Sequence, residues 1–310
     1  MEIKKVKWVV SVDPFDVSFN VTDSFVKEVD QKCSDKLSFE VMSSSEYVEK
    51  YAPDSSSNPR NILHLIGKGD ITMGILPTEV LADINKDLDA LQLPFIFDSI
   101  SDAYTVLNGE AGSDLLVGVE NKVGIKALKF TFSNGANVIA SKVKCDTLTS
   151  FKDKKIKTGN NSVSNETFKS IESTPVHNIE YQNIVSSAKF NIIDSAEIDY
   201  FNLLPLIKSK SFKYVSDTEH SLSLGCIVIN KMFFDELDDE TKEALLTAST
   251  NAAFVSMPNL EAIKTACQTE GIEIVELTQE EKDKIKQATS SVYGKYNDVF
   301  SEGLIDKLKS

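Results

Sequence analysis

The amino-acid sequence reads as an α/β protein of two lobes, and three observations predict this. Short apolar segments of strand length alternate with segments whose apolar residues recur at helical spacing. At 310 residues the chain is long enough for two hydrophobic cores. The C-terminal third also carries one amphipathic run too long for a single small domain. It opens with Asp238, Asp239 and Glu240, acids that suit a helix start. It continues through Leu245, Ala248, Ala252, Val255, Leu260, Ile263 and Ala266 to Gly271. About thirty residues at 1.5 Å each span roughly 45 Å, against ~30 Å for a small domain. The run is therefore expected to be a helix bridging both lobes, bent at Pro258, where the ring removes a donor and crowds the preceding turn.

The other elements follow in order. Val6 to Val12 is the first strand, broken by Asp13-Pro14, and a helix capped by Thr22 or Asp23 carries Phe25, Val26 and Val29 on one face. Leu37 to Met42 is the second strand, and Ser43-Ser44-Ser45-Glu46 has the composition of a capped helix start. The Ser-rich loop from Pro53 to Asn58 leads into a helix through Ile62, Leu65 and Ile66. Ile71 to Leu76 is a strand stopped by Pro77, and after a helical segment the apolar run Leu93 to Phe97 reads as a further strand. A capped helix starts near Ser99. Gly124 to Phe132 is a strand turned by Gly135, helices are expected over Val163 to Phe168 and Ile179 to Ala188, and Leu222 to Asn230 is a late strand.

Composition excludes several classes. The chain is 41% hydrophobic and 26% charged, within the range of folded globular proteins. No segment approaches the ~20 apolar residues of a membrane span. A net charge of −14 means that nucleic-acid backbones and anionic bilayers are expected to be repelled rather than attracted, and otherwise reads as solubility. Cys33, Cys145, Cys226 and Cys267 are scattered, without the close pairs of a zinc site, and are expected to be mostly buried thiols. No signal peptide precedes the first strand, so the chain reads either as cytoplasmic or as the mature form of an exported protein.

No catalytic constellation is visible. His64, His177 and His220 lie outside any His-Glu-x-x-His or nucleophile motif. His64 reads as a packed or surface residue, and His220 as a structural hydrogen-bonder with a ligand contact as the alternative. Gly67-Lys68-Gly69 lacks the third glycine and the helix of a nucleotide loop. Asp235, Glu236, Asp238 and Asp239 lack the alternation and the glycine of a calcium loop. The reading is of a non-enzyme needing no cofactor or metal.

The order of several motifs resembles one family, the extracytoplasmic solute-binding proteins of TRAP transporters (the DctP type). Gly69-Asp70-Ile71-Thr72-Met73-Gly74, Leu93 to Phe97, and Gly109 with Gly112 carry the resemblance over about fifty residues. Thr149 to Lys157 resembles the family's Asp-Leu-Lys-Gly helix running into Lys-Ile-Arg, and Phe190 to Asp194 occupies the place of its Gly-x-Val/Ile-Asp-Gly. Lys213-Tyr214 with Thr218 and His220 resembles Lys-Tyr-x-x-x-Thr-x-His. The resemblance implies a periplasmic-binding-protein fold: two lobes, each a mixed sheet flanked by helices, and a long bent helix spanning both. Residues 1–126 and 213–250 are expected in lobe 1, and 127–212 and 251–310 in lobe 2, with a ligand cleft between. It favours the exported, periplasmic reading and implies the membrane permease subunits as partners.

The same resemblance places the site and shows departures from it. The arginine that closes Lys-Ile-Arg and forks onto a carboxylate is Lys157 here. The arginine of Asn-Gly-x-Arg is Asn137, and the asparagine of Asp-Gly-Gln-Glu-Asn is Ile198. Arg60 is the sole arginine in the sequence, and so strong a lysine bias accounts for Lys157 but for neither Asn137 nor Ile198. Phe15, Pro77, Phe95, Asn160 and Asn202 are further wall candidates, placed at strand ends where open α/β sheets bind ligands. The expected function is capture of a small organic solute by hinge closure. The solute is either a carboxylate met by the Lys157 point charge or a neutral, largely hydrophobic molecule. The alternative is the same fold serving as a sensory or protein-interaction subunit.

Overall fold

The computed structural model describes residues 3–10, 18–120, 122–132, 135–255 and 259–309. Phe15, the Asp13-Pro14 break, Asn134 and Pro258 lie outside the described residues. The strands are β1 (Lys4–Val10), β2 (Leu37–Ser43), β3 (Met73–Pro77), β4 (Ile125–Thr131), β5 (Asn137–Ser141), β6 (Lys155–Lys157), β7 (Thr174–Val176), β8 (Ser195–Asp199), β9 (Tyr214–Ser216), β10 (Gly225–Asn230) and β11 (Glu273–Val275). They form two sheets, ordered β2-β1-β3-β10-β4 and β11-β9-β5-β8-β6-β7.

The chain divides into two compact units, each built around one sheet. The first is Met1–Leu88, Tyr104–Ser133 and Leu224–Pro258; the second is Asp89–Ala103, Asn134–Ser223 and Asn259–Ser310. Pairing moves the boundaries from their expected positions. β4 stays with the first unit because it pairs with β10. β9 belongs to the second because it pairs with β5 and β11. Residues 89–103 join the second unit, where the Phe95 N–H donates to the His220 carbonyl (2.8 Å) and the Tyr293 hydroxyl to the Pro94 carbonyl (2.8 Å).

In the first unit β1 runs parallel to β2 and β3, while β10 is antiparallel to β3 and β4. Trp8 of β1 is fully buried, 4.7 Å from the Phe25 ring and 6.5 Å from Phe39. The helix Ser18–Cys33 supplies Val21, Phe25, Val29 and Cys33, one residue per turn on a single buried face. Val21 extends that stripe by a turn, so the helix begins before Thr22 and Asp23, the expected caps. The helix Ser44–Tyr51 starts on a capping box: the Glu46 N–H donates to Ser43 Oγ (3.2 Å) and the Ser43 N–H to Glu46 Oε2 (2.7 Å). Gly74 lies so close to β1 that a Cβ there would stand 2.5 Å from the Val9 carbonyl oxygen.

The second sheet is covered on both faces, because successive residues of a strand point to opposite sides. Val138, Ala140, Ala196, Ile198 and Val215 share a core with the helices Ile184–Lys189, Tyr200–Ile207 and Leu260–Thr269. Ile139 and Ile156 share another with Phe151, Phe168, Leu277 and Ile285.

One expected element takes another form. Leu93 to Phe97 is turn rather than strand. Phe95 sits at φ 55, a left-handed conformation that no ladder accommodates, and its N–H is used by His220. Along the expected long helix, the described residues form Asp239–Val255 in the first unit and Leu260–Thr269 in the second. Asn259 gives the latter its own start, its side chain accepting from the Ala262 N–H (3.2 Å).

Candidate functional site

Strand direction decides which loops gather at one edge of the second sheet. β6 runs parallel to β7 and β8, and β5 antiparallel to β8 and β9. The carboxyl ends of β6, β7, β8 and β9 therefore meet the amino end of β5. Lys157 pairs in register with Ala196 and Val176, Asn137 with Asp199, and Val138 with Ile198. Lys157, Asn137, Ile198, Asn160 and Asn202 all belong to this edge or to the segments that leave it.

Their local chemistry differs. Lys157 is half-buried, and its ammonium makes no hydrogen bond or ion pair among the described residues. Asn137 is tied to the segment before β10: its N–H donates to the Ser221 carbonyl (2.8 Å) and its Nδ2 to Ser221 Oγ (2.9 Å). Ile198 is packed into the core beside Val138 and Leu203. Asn160 Oδ1 accepts from the Asn178 N–H (2.8 Å). Asn202 is used locally, donating through Nδ2 to Asp199 Oδ2 (2.7 Å) and accepting the Tyr181 hydroxyl on its carbonyl (2.8 Å). Phe95 is partly buried against the core formed by Ile139 and Phe151. Pro77 belongs to the other unit, where it ends β3 opposite Gly225.

Two buried networks stiffen this edge, and the sequence reading does not anticipate them. Glu197 of β8 accepts hydrogen bonds from Ser164 Oγ (2.7 Å) and the Gly159 N–H (2.8 Å), and contacts His220 Nε2 (3.1 Å). Thr218 Oγ1 lies 2.8 Å from His220 Nδ1. Burial opposes ionisation of Glu197, yet His220, Ser164 and Gly159 together hold its carboxyl below the usual range. Gly159 is two residues beyond Lys157, so the network fixes the backbone that leaves β6. His220 is a buried hydrogen-bonding residue, in accord with its structural reading.

The second network joins Tyr200, Asp217 and Lys264. The Tyr200 hydroxyl donates to Asp217 Oδ1 (2.9 Å), and Lys264 Nζ meets Asp217 Oδ2 (2.6 Å). Burial first, and then the Asp217 charge, push the Tyr200 hydroxyl up; for Lys264, burial pulls down but Asp217 outweighs it. The one trace of the first network in the sequence is that Glu197 stands between the apolar residues Ala196 and Ile198 in a run of strand length, which does not name its partners. Among the described residues no group of His, Cys, Asp and Glu is placed to hold a metal ion.

An α/β protein of two sheet-centred units, with polar strand ends gathered at a sheet edge, has the architecture of a solute-binding protein. Residues 11–298 match bacterial extracellular solute-binding protein family 7, DctP, and the chain belongs to that family. It is 27% identical over 208 residues to the 2,3-diketo-L-gulonate-binding periplasmic protein YiaO of Escherichia coli (strain K12), covering 66% of this chain and 62% of that protein. It is 22% identical over 213 residues to the C4-dicarboxylate-binding periplasmic protein DctP of Rhodobacter capsulatus, covering 67% of this chain and 63% of that one. Among solved structures, a TRAP periplasmic solute-binding protein from Sulfitobacter sp. NAS-14.1 with bound β-D-galacturonate superposes with TM-score 0.85 at 21% identity, covering 99% of both chains. One from Ochrobactrum anthropi, with its C-terminus bound in the ligand pocket, gives 0.87 at 20%, covering 99% of this chain and 93% of that one. The family is a binding family rather than a catalytic one. Among the described residues no helix is long and apolar enough to cross a membrane.

Proposed function

We propose that this chain is the periplasmic solute-capturing subunit of a TRAP transporter, binding a small organic acid and passing it unchanged to membrane permease subunits. The observation that carries the reading is Lys157: a half-buried residue whose ammonium has no partner among the described residues, on a strand end held by the Glu197 network. A carboxylate supplies the missing counter-charge, and such a charge-assisted bond contributes roughly 1.5–3 kcal/mol once enclosed. Acids recur among the relatives, whose names or bound molecules include diketo-gulonate, C4-dicarboxylate and galacturonate. As a point charge, lysine holds an acid with less directional selectivity than a guanidinium fork.

A second reading rests on a separate observation. Ile198 is apolar and the Asn137 amide is already engaged by Ser221, so two of the family's polar contacts are missing or used. This favours a neutral or largely hydrophobic solute. Native mass spectrometry of freshly purified protein separates the two by the class of the co-purified molecule. If that molecule is an acid, Lys157→Met weakens its affinity at least tenfold. Unchanged affinity rejects the contact between Lys157 and the carboxylate.

A further inference from the structure

The opposite edge of the second sheet carries a feature that solute binding does not use. The strand directions that bring Lys157 and Asn137 to one edge bring Ser141, Lys155 and Ser195 to the other. There the turn between the helix Ile184–Lys189 and β8 projects Phe190, 78% exposed, and Ile192, 52% exposed. Val143, which follows β5, is 49% exposed. The three stand on adjoining segments, since the Lys142 N–H donates to the Asp194 carbonyl (3.2 Å).

The turn is held in shape rather than loose. Asn191 sits at φ 57, and two lysines converge on it: Lys142 Nζ donates to its Oδ1 (2.9 Å) and Lys155 Nζ to its carbonyl (3.0 Å). Lys189 and Lys213 are exposed nearby and have no carboxylate partner among the described residues. The Lys213 N–H bonds the Ser141 carbonyl (3.0 Å), which places it at the same edge. Acids share the region, among them exposed Asp153, two residues before Lys155. Asp194 Oδ2 accepts from the Lys155 N–H (3.0 Å), Glu273 pairs with Lys144 (3.1 Å), and Asp146 also lies beside Lys144. A molecule of net charge −14 thus has a locally cationic rim around projecting apolar side chains.

We propose that this edge docks on an anionic lipid surface, with Phe190 and Ile192 entering the headgroup region and Lys142, Lys155, Lys189 and Lys213 meeting lipid phosphates. A lipid surface fits better than a protein because the apolar side chains stand on a tip. A soft bilayer receives a tip, whereas a stable protein partner needs a broad, complementary patch. Lysines near an anionic leaflet add attraction that falls off within a Debye length, and their apolar stems lie against the interface.

Co-sedimentation of the full chain with vesicles of phosphatidylglycerol and phosphatidylcholine, compared with pure phosphatidylcholine, tests this. At low salt we expect at least tenfold stronger binding to the anionic vesicles, and loss of that difference at 0.5 M salt, on the order of a 4–5 Å Debye length. The double variant Phe190→Ser, Ile192→Ser should lose at least tenfold in vesicle binding while keeping its thermal midpoint and solute affinity, since neither side chain is buried. As a gain-of-signal readout, Phe190→Trp should shift its emission to shorter wavelength with anionic vesicles. Equal binding to both vesicle types, an unaffected double variant, or binding only to membranes that contain permease protein would each overturn the proposal.

Discussion

Gly112 shows why one short motif has its spacing. The helix Ile100–Asn108 ends just before Gly109, and the next helix, Glu110–Val117, turns back so tightly that a Cβ on Gly112 would stand 1.9 Å from the Leu107 carbonyl oxygen. Backbone cannot yield as a flexible side chain can. Gly112→Ala is therefore expected to destabilise the protein by about 3 kcal/mol, read as a lower urea midpoint with unchanged slope. At Lys157 the expectation is the reverse: Lys157→Met changes acid affinity while the urea midpoint moves by less than about 1 kcal/mol, because no protein partner is lost. Glycines and caps such as Ser43 with Glu46 were legible because their physics is local, a few residues along one backbone. Glu197 was not. Its partners Gly159, Ser164 and His220 lie 38, 33 and 23 residues away, and only folding joins them.

Between elements, that Glu197 network couples β8 to the loop after β6 and to the segment before β10. Glu197 is a buried carboxylate accepting from Ser164 and Gly159, and its loss weakens those charge-assisted bonds, so Glu197→Gln is expected to cost about 3 kcal/mol at pH 7. Because its native carboxyl lies below the ordinary value of 4.5, Glu197 stabilises the fold above that pH, and the contribution is lost as pH falls through the native value. The gap between wild type and Glu197→Gln should therefore narrow on acidification, in urea melts run from pH 7 down to pH 3.5. A gap independent of pH would show that the carboxylate charge is not what stabilises. Most strands and helices were legible from periodicity, which reports burial. Leu93 to Phe97 was not, because a buried turn and a buried strand are equally apolar; only the left-handed Phe95 and its bond to His220 separate them. The run from Asp238 to Gly271 is helical on both sides of residues 256–258, which lie outside the described residues. Its apolar stripe continues through both helices, and the restart at Asn259 is a capping event that amphipathicity does not register.

Across the whole molecule, the four cysteines are free and buried in both units. Burial pushes the Cys226 thiol up to about 12 and Cys267 up to about 11, and raises Cys145 as well. A thiol that stays protonated and covered does not react. Native protein at pH 8 is expected to show no thiol titratable by a disulfide reagent within minutes, and four after denaturation in guanidinium. Early reaction of one thiol would reveal local opening around it. The α/β class and two units were legible from length and alternation. The unit boundaries were displaced, because they depend on pairings between strands as distant as β4 and β10.

The position of β10 has a consequence for how the protein is made. This strand lies between β3 and β4, yet it is synthesised after five strands of the other sheet. Until residue 230 has left the ribosome, a nascent chain carries two open strand edges, on β3 and β4, where β10 belongs. The first unit cannot be completed until the chain has run through β10, so the growing polypeptide stays unfinished, and open to chaperones, through most of its translation.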